Sequence, residues 1–411
     1  MNVSLFIAKR YFFSKKKSFI HFLSLTAFIG VVIGTSSLII VLSVFNGLEN
    51  LLKSLYGKFD PEIKIVANNS KYFNDSNEVI ESLNNIKGVE VVSRVIEDRI
   101  IASYNDSETP VYLKGVDSSF HLQNRLKNNI VEGSFVLSQN ENEYVVVGRG
   151  IKYKLSLNLK DNFNNLILYA ISPNFSFIPS GIPKKNFNKR EIRPSGIFAI
   201  EQQLDNNYMI TSLNFAKNIF EKKNKITALE LKVNPTKNTK NIQKEIQSVV
   251  GDSFSVLTIE EQHANLYKIL KTEKLMVFLI FSFILIISSF NIFFLLSMLA
   301  IDKKRDLSVL MSFGINENLI KKIFLFEGLI IASLGVCIGT GIGILICFVQ
   351  EKFGLVSLGM NTAIVEYYPV KIYTPDIVMI VILVFIITII ASIKPSQIAI
   401  QKINLSQLNN K

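Results

Sequence analysis

The stretch IDKKRDLSVLMSFGINENLIKKIFLFE, Ile301 to Glu327, lies between two strongly apolar segments. It is too polar to sit in lipid and too short to be a domain. Leu307, Leu310 and Met311 recur at helical spacing, and Gly314 then stops the pattern. The spacing predicts a short amphipathic helix held between two membrane spans, with a face for something in the cytoplasm. Such a chain is a membrane-embedded transmitter, and the remainder is what it transmits to.

The composition fits. The 411 residues are 49% hydrophobic with a mean hydropathy of +0.32, high enough to require membrane spans beside a soluble part. The net charge is +12. Its cations cluster beside apolar segments, which points to membrane topology rather than nucleic acid. The two cysteines, Cys337 and Cys347, lie in one apolar segment and read as small buried hydrophobes.

Working outward, four spans are expected, with boundaries at 19–46, 272–300, 323–350 and 375–394. Residues 1–18 read as an amphipathic helix on the cytoplasmic leaflet, with Lys9, Arg10 and Lys15 to Lys17 near anionic headgroups. No small-residue cleavage site follows the first span, so it reads as retained. Gly30 and Gly34 there, and Gly335, Gly339 and Gly343 in the third span, stand at the four-residue spacing that lets helices approach closely. Lys and Arg concentrate before span one, in the 301–322 segment and in the 395–411 tail. These fall on one side when there are four spans, which puts 47–271 and the 351–374 loop outside.

The 47–271 region alternates short β-like runs with helix-like stretches and reads as an α+β domain with room for two sub-cores. Its Ile171 to Arg193 segment is different. Pro173, Pro179 and Pro183 exclude regular structure and leave Phe175 and Phe177 with little to bury them, so it reads as a partner-contact loop. Thr258 opens a capping box with Glu261, and no Pro or Gly follows before Gly314. An unbroken helix of about 42 residues, roughly 63 Å, is expected from Ile259 through the second span.

Catalytic chemistry is absent from the pattern. There is no G-x-x-x-x-G-K-[ST] phosphate loop and no H-E-x-x-H, and His21, His121 and His263 are scattered. Few ionisable residues lie in the spans, which disfavours an ion-coupled carrier. Glu327 is the main exception, read either as pairing with a cation of the 301–322 segment or as reaching the interface.

One span, a large external domain and three further spans with a charged loop after the second resemble the FtsX/MacB-type permeases of ABC transporters. FIAKRYFFSKKKSFIHFLSLTAFIGVVIGTSSLIIVLSVFNGLENLL, Phe6 to Leu52, resembles the opening of the LolC/LolE lipoprotein-releasing permeases. DKKRDLSVLMSFGINENLIKKIFLFEGLIIASLG, Asp302 to Gly335, is similar to their coupling segment and glycine-rich span, and YYPVKI at Tyr367 also fits. The resemblance implies a four-helix membrane part with a MacB-like periplasmic core, in the bacterial inner membrane with both termini cytoplasmic. It implies a second permease copy or paralogue, and a separate LolD-like ATPase that binds the ATP and Mg, with no cofactor in this chain. The coupling contact would fall on Asp302, Lys303, Lys304, Arg305, Asp306, Leu307, Leu310, Met311 and Gly314. The cargo would be lipoproteins handed to a periplasmic carrier, with Pro173, Phe175, Phe177, Pro179 and Pro183 where the family has its carrier-binding hook. Each acyl CH₂ removed from lipid costs about 0.8 kcal/mol, so extraction needs coupled ATP. Ile39, Leu42, Phe45, Leu275, Phe278 and Leu279 are the expected acyl-chain vestibule. Alternatives are a MacB-like efflux permease, an FtsX-like mechanotransmitter and a membrane scaffold without transport.

Overall fold

The computed structural model describes residues 3–12, 19–123, 125–161, 164–171, 187–234, 236–357 and 367–408. The chain forms two compact units, divided near Leu51/Leu52 and Tyr267/Lys268.

The membrane unit holds four helices long and apolar enough to cross a bilayer. They run Phe19–Tyr56, Ala264–Asp302, Glu317–Phe353 and Thr374–Leu408, the first and second extending into the other unit. Each is longer than its apolar run, because helical hydrogen bonding continues past the point where the side chains turn polar. The last helix passes through Pro395; the tail therefore starts as helix rather than ending at 394. Short helices Val3–Phe12 and Lys304–Ser312 belong to the same unit. Ser4 and Ala8 of the first are buried, and it lies along the third span helix. One face of this segment is therefore occupied by protein rather than by the leaflet. Leu5 and Phe6 stay exposed.

The other unit is built on one mixed sheet. Its centre runs Phe254–Thr258, Ile63–Ala67, Ala228–Val233, Val89–Tyr104, Ser107–Val116, Tyr208–Ser212, Asn142–Gly148, Phe187–Phe198 and Ile130–Gly133. Tyr208–Ser212 is parallel to Ser107–Val116, and Asn142–Gly148 to Phe187–Phe198; the other central pairs are antiparallel. The two faces carry two cores, as the length of the region allowed. The larger is centred on residues such as Ile96, Leu113 and Val147, the smaller on Phe59, Val95, Phe120 and Phe198. Helices Asn77–Asn84, Arg149–Leu155, Leu213–Ile219 and Thr239–Val250 alternate with these strands along the chain. Tyr208–Ser212, Ile130–Gly133 and the first half of the 16-residue strand Val89–Tyr104 carried too weak a pattern to read. The irregular stretch expected to reach Arg193 is corrected: from Phe187 on it is part of the strand Phe187–Phe198, paired with Leu166–Ile171, since no proline follows Pro183 until Pro194.

The smaller core contains charge. Register sets Lys64 opposite Glu230, and Glu97 opposite Lys114. Lys114 and Glu230 are fully buried and paired at 2.7 Å, and Arg125 meets the other Glu230 oxygen at 3.3 Å. The Lys114 ammonium lies 4.5 Å from the Phe59 ring centroid. A buried charge survives only when paired, so these strands are held in one register by electrostatics as well as packing.

Candidate functional site: the inner helix, the glycine seam and the domain root

Lys303, at the start of the short inner helix, lies 3.5 Å from both Asp302 and Asp306 carboxylates. Phe313 ends the helix, and Gly314 turns the chain at φ +87°, which L side chains rarely adopt. Asn316 then caps the third span helix by accepting from the Leu319 N–H at 3.0 Å. The apolar triplet faces the other way from expectation. Leu307 is 0% exposed, and Leu310 and Met311 pack on the bundle core with it. These three anchor the helix to the spans, because an amphipathic helix on a bundle buries its apolar stripe in that bundle. Asp302, Arg305, Asp306, Ser312 and Gly314 are exposed, with Val309 at 54% and Phe313 at 81%. Val309 and Phe313, one turn apart, form an apolar ridge between charges. Sequence reading missed both; their signal was apolar residues at i and i+4 off the main stripe.

The glycines act as close-approach points between helices. A Cβ on Gly335 would meet Val31 at 2.7 Å, on Gly339 the Val32 carbonyl oxygen at 2.8 Å, and on Gly343 Ile39 at 3.1 Å. The first and third span helices thus pack in parallel along one glycine stripe. Across the opposite seam, Gly34 lies against Leu285, and Gly30 faces Ser288 at an ordinary 3.4 Å.

The residues of the expected vestibule are distributed over this packing. Ile39 and Leu42 are buried, Ile39 on the third span. Leu275 and Leu279 project outward, and Phe45 and Phe278 are half-buried. Ile39 and Leu42 continue the helix face that carries Val31 and Thr35, and Phe278 packs against the same core cluster. Glu327 is corrected: it is 3% exposed, so it does not reach the interface, and its Oε2 has no hydrogen-bond partner among the described residues.

The helix expected to run unbroken from Ile259 is interrupted at His263. Helix Ile259–Gln262 ends there, with His263 at φ −112°, ψ 37°, and a 39-residue helix starts at Ala264. The capping contact is present, with the Thr258 N–H donating to Glu261 at 2.8 Å. His263 is drawn off the helical path by its neighbours. Its Nε2 is 2.8 Å from Asp60 Oδ2, its ring centroid is 4.0 Å from that of Tyr56, and Gln262 donates to the Pro61 carbonyl at 3.0 Å. The strands leaving and entering this unit are therefore tied together at its root.

Burial works against ionisation of Asp60. The His263 hydrogen bond and the nearby Lys114 and Lys64 cations outweigh it and hold the carboxyl below its ordinary value. A depressed carboxyl contributes stability that is complete above its unfolded value, about 4, and is lost as pH falls through the folded one. The melting temperature of the purified chain is expected to drop more steeply below about pH 4 than that of Asp60→Asn. Parallel acid limbs in the two melting profiles would refute this.

Pro173, Phe175, Phe177, Pro179 and Pro183 lie outside the described residues. Among the described residues, no group of His, Cys, Asp and Glu is arranged to hold a metal ion.

Four candidate spans, a short helix between the second and third, and an α+β domain inserted in sequence between the first and second make up the chain. The chain belongs to the MacB-like periplasmic core domain family, whose model matches residues 24–249, and the FtsX-like permease C-terminal model matches 278–402. Along its length it is similar to LolC and LolE proteins. It is 26% identical to the lipoprotein-releasing system transmembrane protein LolC of Buchnera aphidicola subsp. Schizaphis graminum, over 97% of this chain and 96% of the relative. It is 21% identical to LolC of Neisseria meningitidis serogroup B, over 95% of each chain. It is 23% identical to LolE of Haemophilus influenzae, over 96% of each.

Proposed function

We propose that this chain is the permease subunit that couples ATP hydrolysis by a separate cytoplasmic ATPase to release of lipoproteins from the inner membrane for transfer to the outer membrane. The observation that carries the reading is the inner helix: its apolar stripe is seated on the spans, and Arg305, Val309 and Phe313 are left for a partner. The names of the full-length relatives support the cargo. ATP and Mg are assigned to the LolD-like partner and this subunit is read as a permease, a reading supported by a sequence without a phosphate-loop motif. A second copy or a paralogue completes the membrane part. The positive-inside pattern supports cytoplasmic termini and a periplasmic domain. The proline-rich loop is the proposed contact for a periplasmic carrier.

The test is reconstitution of the chain with its co-purifying ATPase and paralogue in proteoliposomes that carry a triacylated protein. ATP-dependent transfer to a soluble acceptor is expected, and it should vanish when this chain is left out. ATP hydrolysis with the acylated protein still in the vesicles would overturn the reading.

A further inference from the structure

At the outer end of the membrane unit three polar side chains from three spans meet. Asn46, on the first, is 1% exposed. Its amide nitrogen donates to Asp376 Oδ2 at 2.6 Å, and its amide oxygen accepts from Lys274 Nζ at 2.7 Å. Lys274 and Asp376 are themselves 3.5 Å apart, both less than one-third exposed. Asn46 is thus used at both ends of its amide, between a cation on the second span and an anion in the first turn of the fourth. That carboxylate also faces a helix N-terminus, where negative charge is favoured. The segment before the fourth span is tied to the same point. The Lys371 N–H donates to the Ser43 carbonyl at 2.9 Å, and its ammonium donates to Asn50 at 3.1 Å. Gly47 lies so close to the Pro369 carbonyl that a Cβ would sit 2.1 Å from the oxygen.

This cluster ends a continuous seam. The first and second span helices run antiparallel in constant register: Gly30 faces Ser288, Gly34 faces Leu285, and Asn46 faces Lys274. The inner contacts are made by small and aliphatic side chains, without an ion pair between them, and lipid or an acyl chain replaces them at little cost, because hydrocarbon is as apolar as leucine. The outer contact is different. Separating Asn46 from Lys274 breaks a charge-assisted hydrogen bond and strands a buried amide. The seam is therefore weak along its length and fastened at one end.

We infer that Asn46, Lys274 and Asp376 form a polar latch that closes the outer end of the seam between the first and second spans, and that this latch must open for an acyl-anchored substrate to pass. The inference rests on the lipoprotein-release reading.

The test uses the full complex in proteoliposomes, with Cys337→Ser and Cys347→Ala, and with Asn46→Cys and Lys274→Cys bridged by a short bis-methanethiosulfonate reagent. Bridging is expected to lower ATP-dependent lipoprotein release at least about tenfold, equivalent to about 1.4 kcal/mol. ATP hydrolysis should continue, and reductant should restore release. Release by the bridged complex within twofold of the reduced one overturns the latch, as does failure of the pair to bridge without substrate. A reduced complex that hydrolyses ATP but releases nothing overturns the release reading instead. A second variant, Lys274→Met, keeps the stem and removes the donor. It should raise substrate-independent hydrolysis with little change in the amount of folded complex; unchanged basal hydrolysis counts against the latch.

Discussion

Phe313→Ala is expected to strip the ATPase from the purified membrane complex while leaving the chain folded. Phe313 is 81% exposed at the end of the inner helix, and nothing in this chain depends on its ring. Exposed aromatic residues that fill a partner's pocket dominate interface energies. Truncating one costs about 2–4 kcal/mol, a loss of roughly 30- to 1,000-fold in affinity. Val309→Ala should act in the same direction, more weakly. Leu307→Ala is the contrasting variant. Its side chain is buried against the spans, so it should cost about 2–5 kcal/mol of stability and reduce the yield of folded chain. Co-purification of the ATPase and the melting temperature, measured on each variant, separate the two effects. Stoichiometric ATPase retained by Phe313→Ala would show that the partner docks elsewhere.

Gly47→Ala is expected to be the most disruptive single-methyl change in the membrane unit. Its Cβ would lie 2.1 Å from the Pro369 oxygen, 2.4 Å from its carbonyl carbon and 2.7 Å from the Val370 nitrogen. All three are backbone atoms, so no rotamer change relieves the overlap. Overpacking of this kind costs about 1–3 kcal/mol or more, and here it also displaces the segment that positions Lys371 and Asp376. Gly34→Ala meets the movable end of Leu285 and should be milder. Gly341→Ala meets nothing within 4 Å and should be neutral or stabilising, since Ala is the better helix former. Expression level and melting temperature in detergent rank the three; Gly47→Ala melting with Gly341→Ala would refute the ordering.

Much of the architecture was legible in the chain. Runs of apolar residues longer than a bilayer is thick mark candidate spans whatever they pack against. Within the external domain, alternating strands and the stripe of Ile242 and Ile246 were readable because local periodicity is a local property. The glycine spacing in the third span likewise announced a close helix contact.

Tertiary structure decided which face each pattern used. Periodicity identifies an apolar stripe but not its partner, so Leu307, Leu310 and Met311 read equally well as a docking surface or an anchor. Only their burial on the spans separates the two and turns attention to Val309 and Phe313. Ile39 and Leu42 read as pathway residues because a single helix does not record which neighbour covers it. The break at His263 carries no Pro or Gly; it comes from Asp60 and Tyr56, some 200 residues earlier in the chain. Asn46, Lys274 and Asp376 are separated by hundreds of residues and match no motif. Sequence alone determined how many helices enter the bilayer, because that depends on transfer from water to lipid, one segment at a time. Where those helices are fastened depends on polar groups brought together by folding, and only the three-dimensional arrangement reveals it.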